Sequence, residues 1–254
     1  MLINAELFMV GLGVGSFGTL IGVGGGFILV PVFLLLFHYP SQFAVGTSLA
    51  VVFFNALSGT IAYIRQKKVY YDAALRFSLA TLPGAVIGSY LARYFTNQVF
   101  YISFGVLLIT IAILLYGLKK REKESASGKD VFQTGYNRLG GTALSVLVGF
   151  LSSTFGIGGG IIHVPAMIVL LGFSTHVATA TSHFVLAVSA FVGVATHYFL
   201  GNILLGPALI VGGGAAVGAQ IGAYAAPKTK AHSITLLLCL ALLFLGLRMI
   251  MSNI

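Results

Sequence analysis

Apolar runs separated by short polar gaps fill most of this chain, and about 20 apolar residues are enough for one helical crossing of a membrane. Eight such runs can be distinguished, four on each side of a polar loop. They cover residues 7–37, 43–64, 73–91 and 99–118, and then residues 139–173, 177–200, 203–226 and 234–250. The pattern predicts an all-α integral membrane protein that folds as a polytopic helical bundle.

The polar loop has the sequence KKREKESASGKDVFQTGYNR and covers residues 119–138. It is charged, contains serine and glycine, and shows no apolar periodicity, which is typical of a linker. We therefore divide the chain into a first transmembrane repeat at residues 1–118, a linker at residues 119–138, and a second transmembrane repeat at residues 139–254.

The two halves align without a gap at the offset that separates Pro31 from Pro165, which we call the repeat offset. Polar and glycine positions share this offset, which chance similarity of apolar segments would not produce. The coincident pairs include Gly24, Gly25 and Gly26 with Gly158, Gly159 and Gly160, Thr47 and Ser48 with Thr181 and Ser182, Gly59 with Gly193, and Gly84 with Gly218. The sequence thus predicts two homologous four-segment repeats, an arrangement typical of secondary transporters.

The first run of each half is too long for a single crossing. Residues 7–37 would form roughly 46 Å of helix, whereas the hydrocarbon core is about 30 Å thick. The glycines of GVGGG at residues 22–26 and GIGGG at residues 156–160 predict a broken or re-entrant first segment in each repeat, buried in protein.

Loop charges favour inverted repeats. If the first segments are re-entrant, each half crosses three times, and most Lys and Arg residues share one side with the linker, which the positive-inside rule assigns to the cytoplasm. In the alternative, parallel repeats, Lys228 and Lys230 would join Arg93 on the side that is poorer in positive charge.

Composition supports a membrane protein and excludes other classes. Hydrophobic residues make up 58% of the 254 residues and charged residues 7%, with a mean hydropathy of +1.02, so too few charges exist to cover a soluble globule. The net charge of +9 comes from polar gaps rather than from faces of amphipathic helices, which argues against nucleic acid as a partner. Cys239 is the single cysteine, so no internal disulfide can form. We expect no cofactor and no metal site, since His, Cys, Asp and Glu are not closely spaced.

Three sequence motifs occur in both halves: the glycine motif followed by Val-Pro, then AVGTS or ATATS, then GAVIG or GAQIG. In this combination the chain resembles the sulfite exporter TauE/SafE family over nearly its whole length. The resemblance implies a transporter of small sulfur-containing or organic anions, such as sulfite, thiosulfate, sulfoacetate or other sulfonates, in the cell membrane (the inner membrane of a Gram-negative source). Its partners would be the anion and the lipid bilayer, and a homodimer is left open.

Backbone chemistry agrees with an anion as cargo. N–H groups at the start of a helix are unpaired and carry partial positive charge, and glycine lets an anion approach them closely. The candidate substrate-binding glycines are Gly24, Gly25, Gly26, Gly158, Gly159 and Gly160. The alternative is that they only allow close helix packing.

Polar side chains inside the apolar runs are the other candidates. Hydroxyls can donate to an oxyanion or bond to their own helix, and buried amides need partners. Embedded histidines can pair with an anion or carry a proton. The predicted substrate-binding side chains are Thr47, Ser48, Asn55, His163, Thr181, Ser182, His183 and Gln220, with His183 and His163 as candidates for proton coupling.

The function predicted from these features is a secondary transporter of small anions that works by alternating access. A passive anion channel is the main alternative. An intramembrane enzyme is disfavoured because no activated nucleophile is apparent, and a non-transporting scaffold would not need a duplicated polar centre. No acidic residue lies in the interior of an apolar run, which suits an anionic substrate.

Overall fold

A computed structural model describes residues 2–125, 135–229 and 231–252. Residues 126–134 of the predicted linker and Lys230 lie outside the described residues. The described part consists of ten α-helices and two short 3₁₀ turns at Ala92–Tyr94 and Ala226–Lys228. The helices are α1 (Leu2–Ile21), α2 (Gly26–Leu35), α3 (Ser41–Arg65), α4 (Tyr71–Leu91), α5 (Asn97–Ser125), α6 (Arg138–Phe155), α7 (Gly160–Val169), α8 (Thr175–Phe199), α9 (Leu205–Ala225) and α10 (Ala231–Met251). The all-helical prediction is confirmed for these residues.

Six of these helices are long and apolar enough to cross a membrane. They lie at Asn4–Ile21, Ser41–Arg65, Tyr71–Tyr94, Asn97–Tyr116, Thr175–Phe199 and Leu205–Lys228. The helices α2 and α7 are apolar but have only 10 residues each, about half of what a full crossing requires.

The long first run of each half is broken at its glycine motif, as the sequence predicts. The helix α1 ends at Ile21 and α2 begins at Gly26, while α6 ends at Phe155 and α7 begins at Gly160. The backbone takes positive φ angles at both breaks, and glycine adopts these without the strain of a Cβ atom. The φ angles are +86°, +83° and +79° at Gly22, Gly24 and Gly25, and +72°, +79° and +78° at Gly156, Gly158 and Gly159.

The α1–α2 segment is a helical hairpin. Helices α1 and α3 run in the same direction, because Asn55 Nδ2 donates to the carbonyl of Gly15 and Tyr63 Oη to the carbonyl of Thr19. The chain between them, which contains α2, must therefore return toward the end at which α1 started.

The α6–α7 segment has a similar arrangement against α4 and α8. Gly141 lies against Phe77 and Gly88 against Phe150, so that α4 and α6 run in parallel. The start of α8 lies beside the start of α4, where Thr181 Oγ1 accepts from Tyr70 N–H.

Small residues let α1 pack against α9 and α4 against α6. A Cβ atom added at Gly11, Gly218 or Gly222 would meet a backbone carbonyl of the facing helix. Between α4 and α6, a Cβ atom added at Gly84, Gly88 or Gly149 would likewise meet a backbone carbonyl of the facing helix. Close approach of this kind is the main source of helix association in lipid, where no hydrophobic driving force acts between helices.

We expect Gly15→Ala to destabilise the protein and Gly13→Ala to be tolerated. A Cβ atom at Gly15 would lie 2.6 Å from Cα of Ala215, whereas one at Gly13 meets nothing within 4 Å. Overpacking of this kind costs about 1–3 kcal/mol, and alanine in an open helix position is slightly favourable. Thermal unfolding of the two purified variants in detergent tests this; equal melting temperatures would contradict the packing of α1 on α9.

Candidate functional site

The two glycine breaks meet in the interior of the bundle. A Cβ atom at Gly26 would lie 2.6 Å from the carbonyl oxygen of Gly156, and one at Gly160 would lie 2.5 Å from the carbonyl oxygen of Gly22. No side chain among the described residues caps the start of α2 or α7. The N–H groups of the first two residues of each short helix have no hydrogen-bond partner among the described residues, whereas those of Ile28 and Ile162 donate to the carbonyls of Gly25 and Gly159. The unpaired groups carry partial positive charge at the point where the halves touch.

Two apolar side chains fill the space between the breaks. Gly24 and Gly158 each lie against both Val52 and Leu186, which are buried at 0% and 2% exposure. Val52 lies on α3 and Leu186 on α8. The centre is thus closed by a valine and a leucine, which we call the central apolar pair.

Ser48 and Ser182 tie each long helix to the glycine break of the other half. Ser48 Oγ donates to the carbonyl oxygen of Gly156 at 2.8 Å, and Ser182 Oγ donates to that of Gly22 at 3.4 Å. Both serines are fully buried. They satisfy carbonyl groups that the breaks after α1 and α6 leave without helical partners.

Thr47 and Thr181 lie one residue before these serines but bond to backbone N–H groups at the starts of other helices. Thr47 Oγ1 accepts from Leu204 N–H at 3.1 Å, just before α9 begins, and Thr181 Oγ1 accepts from Tyr70 N–H at 3.0 Å, just before α4 begins. Each threonine therefore fixes the start of a helix. Substrate binding by these threonines stays a prediction.

Asn55 and His183 belong to a buried network on α1, α3 and α8, which we call the α1 polar cluster: Thr19, Asn55, Tyr63 and His183. Thr19 Oγ1 donates to Asn55 Oδ1 at 3.1 Å, and His183 Nε2 lies 3.2 Å from Thr19 Oγ1. Asn55 Nδ2 also donates to the carbonyl of Ala215 on α9. Among the side-chain nitrogens of this cluster, His183 Nδ1 has no hydrogen-bond partner among the described residues.

His163 and Gln220 lie apart from this centre. His163 Nε2 is 2.9 Å from Ser145 Oγ, and its ring stacks on Phe77 with centroids 5.7 Å apart. The apolar run around Gln220 suggests a buried amide, but its side chain is exposed on the surface of the bundle and donates to the carbonyl and hydroxyl of Ser58. Substrate contacts by both residues stay predictions.

Charged side chains at the starts of α4 and α6 form a cluster at one end of the bundle. Arg76 and Arg138 lie 3.0 and 3.5 Å from the carboxylate of Asp72, which also accepts a hydrogen bond from Tyr136 Oη. Burial, followed by this hydrogen bond, raises the pKa of Tyr136 above its ordinary value. No group of three or more potential metal ligands is present among the residues that the structure describes.

A cavity of about 330 Å³ lies between α3, α8 and α9, but it is lined by apolar atoms of side chains such as Phe53, Phe191 and Leu209. An anion would lose its hydration there without gaining hydrogen bonds. The centre of the bundle, with its unpaired N–H groups, is the better candidate site for a polar ligand.

Sequence reasoning did not select several polar residues that the structure gathers near the breaks: Thr19, Tyr63, Ser152, Ser153, Ser189 and His197. The repeat offset contained a usable signal, because it pairs Thr19 with Ser153 and Tyr63 with His197. Each half makes the same kind of contact within these pairs of positions. Tyr63 Oη donates to the carbonyl of Thr19 at 2.8 Å, and His197 Nε2 lies 3.2 Å from the carbonyl oxygen of Ser153.

Comparison with known proteins agrees with this architecture. A profile described as "Sulfite exporter TauE/SafE" matches residues 7–249. The chain belongs to the TauE/SafE sulfite exporter family. This family and the six apolar helices make it a multi-pass membrane protein.

Among the TauE/SafE relatives, the probable membrane transporter protein YunE of Bacillus subtilis (strain 168) is 34% identical over 98% of this chain and 97% of its own length. The probable membrane transporter protein ORF9 of Sinorhizobium sp is 30% identical over 97% of this chain and 92% of its own. The probable membrane transporter protein MJ0441 of Methanocaldococcus jannaschii is 32% identical over 63% of this chain and 60% of its own length. No solved structure matches the chain. Family and relatives together indicate a membrane transporter rather than an enzyme.

We expect Thr47→Val to lower stability and Thr47→Ser to preserve it. Valine removes the acceptor of Leu204 N–H, and an unsatisfied buried donor costs about 1–3 kcal/mol, whereas serine keeps a hydroxyl at the same place. Thermal unfolding in detergent compares the variants. A valine variant as stable as the wild-type protein would contradict the structural role and favour the predicted role in substrate binding.

Proposed function

We propose that this chain is a secondary transporter of small organic or sulfur-containing anions, of the sulfite, thiosulfate, sulfonate or sulfoacetate class, and that it works by alternating access in the cell membrane. The meeting of two broken helices in the interior carries the proposal. Paired half-helices whose N-termini face a shared point are the arrangement with which secondary transporters bind anions near the membrane midplane.

Exchanged contacts between the halves support an inverted internal repeat. Ser48 bonds to Gly156 while Ser182 bonds to Gly22, so residues related by the repeat offset exchange roles. The same exchange relates the threonine contacts at the starts of α9 and α4. Such reciprocity is expected when two copies of one unit are related by a twofold axis. An axis in the membrane plane is favoured by helix direction: α4 runs opposite to α1 and α3, since Gln42 at the start of α3 donates to the carbonyl of Arg93 beyond the end of α4, and α6 runs parallel to α4.

The chemistry of the centre favours an anion. The unpaired N–H groups at the starts of α2 and α7 are hydrogen-bond donors. The acidic residues of the sequence are Glu6, Asp72, Glu122, Glu124 and Asp130, and none falls in the interior of an apolar run. A small oxyanion would therefore meet donors and no fixed negative charge.

The central apolar pair supplies a barrier for alternating access. Val52 on α3 and Leu186 on α8 are related by the repeat offset, so each half contributes one side chain. The α1 polar cluster lies on one side of this pair, toward the end of α3. Rocking of one repeat against the other would separate the pair on one side at a time.

The distribution of charge supports a cytoplasmic linker. Arg93 lies at the end of the bundle where α4 ends. The opposite end, at which α3 ends and α4 begins, carries Arg65, Lys67, Lys68, Arg76 and Arg138. The positive-inside rule favours the cytoplasm for this second, more basic end.

Flux measurements in proteoliposomes test the proposal. We expect uptake of labelled sulfite to saturate, and unlabelled sulfite inside the vesicles to accelerate it, because a carrier returns faster when loaded. Thiosulfate, isethionate and acetate serve as alternative substrates. If none of these anions is taken up, anion transport is refuted, and linear flux without acceleration would indicate a passive channel.

A smaller side chain at the central pair tests the barrier. We expect Leu186→Ala to raise the leak of anion across vesicles and to weaken saturation, because the removed methyl groups open the space between the breaks. Val185→Ala is the matched control, since Val185 is equally buried on the same helix but packs in the cluster with Phe77 and Met167. Equal leak in both variants would argue against a barrier at Leu186.

A further inference from the structure

Buried polar atoms without partners are concentrated at one place in this protein. Nine buried side-chain N or O atoms lack a hydrogen-bond partner among the described residues. Four of them lie on the adjoining helices α6 and α8 and form what we call the α6 polar cluster: Ser152, Ser153, Ser189 and His197. Native proteins satisfy most buried polar groups, so a concentration of exceptions calls for a ligand or ordered water.

Contacts and helix spacing connect the members of this cluster. A Cβ atom at Gly193 would lie 2.9 Å from Ser153 Oγ, and Ser189, Gly193 and His197 follow at intervals of four residues on one face of α8. His197 Nε2 is 3.2 Å from the carbonyl oxygen of Ser153.

The cluster also adjoins the unpaired start of α7. Ser152 Oγ lies 3.5 Å from the position that a Cβ atom of Gly159 would take, and Gly159 directly precedes the first residue of α7. All four side chains on α6 and α8 are buried, with exposures of 0% for Ser152, Ser153 and His197 and 2% for Ser189.

The corresponding positions of the first half are already satisfied. The repeat offset relates Ser153, Ser189 and His197 to Thr19, Asn55 and Tyr63. The side-chain atoms of these first-half residues bond to one another or to backbone carbonyls. The two halves thus place polar side chains at the same points, but in the second half the hydroxyls remain without acceptors. If the fold itself required these polar side chains, those of the second half would also be hydrogen-bonded. Their unpaired atoms therefore favour a ligand site in the second half.

The available atoms define the chemistry of the ligand. The three serine hydroxyls can each donate to an oxygen. His197 Nε2 faces a carbonyl and must carry its hydrogen, so Nδ1 of the neutral ring accepts a hydrogen bond. A complementary ligand offers several acceptor oxygens and one O–H group.

We propose that the α6 polar cluster is a subsite for a small oxyanion that carries one proton, such as hydrogen sulfite. The proposal rests on the proposed transport function and locates the substrate in the second half, beside the start of α7. The serines bind the charged oxygens, and His197 Nδ1 accepts a hydrogen bond from the O–H group of the anion.

The double variant Ser153→Ala/Ser189→Ala tests the subsite. The lost hydroxyls have no partner among the described residues, so we expect the melting temperature without ligand to be unchanged or higher. In mildly acidic buffer, where sulfite is mostly hydrogen sulfite, the stabilisation that sulfite gives the wild-type protein should be lost. In proteoliposomes the KM for sulfite should rise about tenfold or more.

Thr154→Val is the matched control on the same helix. Thr154 Oγ1 donates to the carbonyl of Phe150 and contacts that of Gly88, so valine should lower the melting temperature and leave the sulfite-dependent shift intact. The double variant should change the sulfite-dependent shift, and Thr154→Val should change the melting temperature without ligand. This contrast separates a ligand role from a structural one.

The outcomes distinguish the proposed subsite from the proposed transport function. If the wild-type protein transports sulfite and the double variant keeps both the KM and the sulfite-dependent shift, the hydroxyls hold only water and this inference is wrong, while the transport function stands. If the wild-type protein transports none of the anions tested, the proposed function itself fails. Equal stabilisation of the wild-type protein by sulfate, which carries no O–H group under these conditions, would overturn the role of His197.

Discussion

A helix that breaks inside a bilayer exposes N–H and C=O groups that lipid cannot satisfy, and this chain breaks two helices where they touch. The carbonyls of Gly22 and Gly156 accept from serines of the opposite half. The two breaks therefore depend on each other, and the long helices α3 and α8 are fixed between them. In the part of the chain that the structure describes, the N–H groups of the first two residues of α2 and of α7 have no partner, and so they can serve a ligand.

Close packing of small residues lets two hairpins reach this centre at once. Glycines along α1 and α9, and along α4 and α6, bring backbones into contact. Larger residues there would push the hairpins outward and separate the breaks. The geometry of the centre therefore depends on the packing between helices. In lipid, dispersion contacts favour close approach of helices, because burial of apolar surface gives no driving force there.

The halves place their glycine breaks alike but differ in polar side chains. At positions related by the repeat offset, Leu49 corresponds to His183, and Asn55 corresponds to Ser189. Asn55 joins α1, α3 and α9 by hydrogen bonds, while the shorter Ser189 has an unpaired hydroxyl among the described residues. One half thus uses this buried polar position to join helices, while in the other half it belongs to the proposed ligand subsite.

The sequence alone determined which segments are helical and where two of them break, because apolar length and the positive φ angles of glycine are local properties. It also indicated Ser48 and Ser182, which the structure brings to the breaks. Only the tertiary structure decided the partners of the other polar residues. Thr47 lies at the start of a helix, Gln220 on the outer surface, and His197 beside Ser153. These hydrogen bonds join positions far apart in the chain, and the hydrophobic pattern of a single helix does not encode which face meets which neighbour.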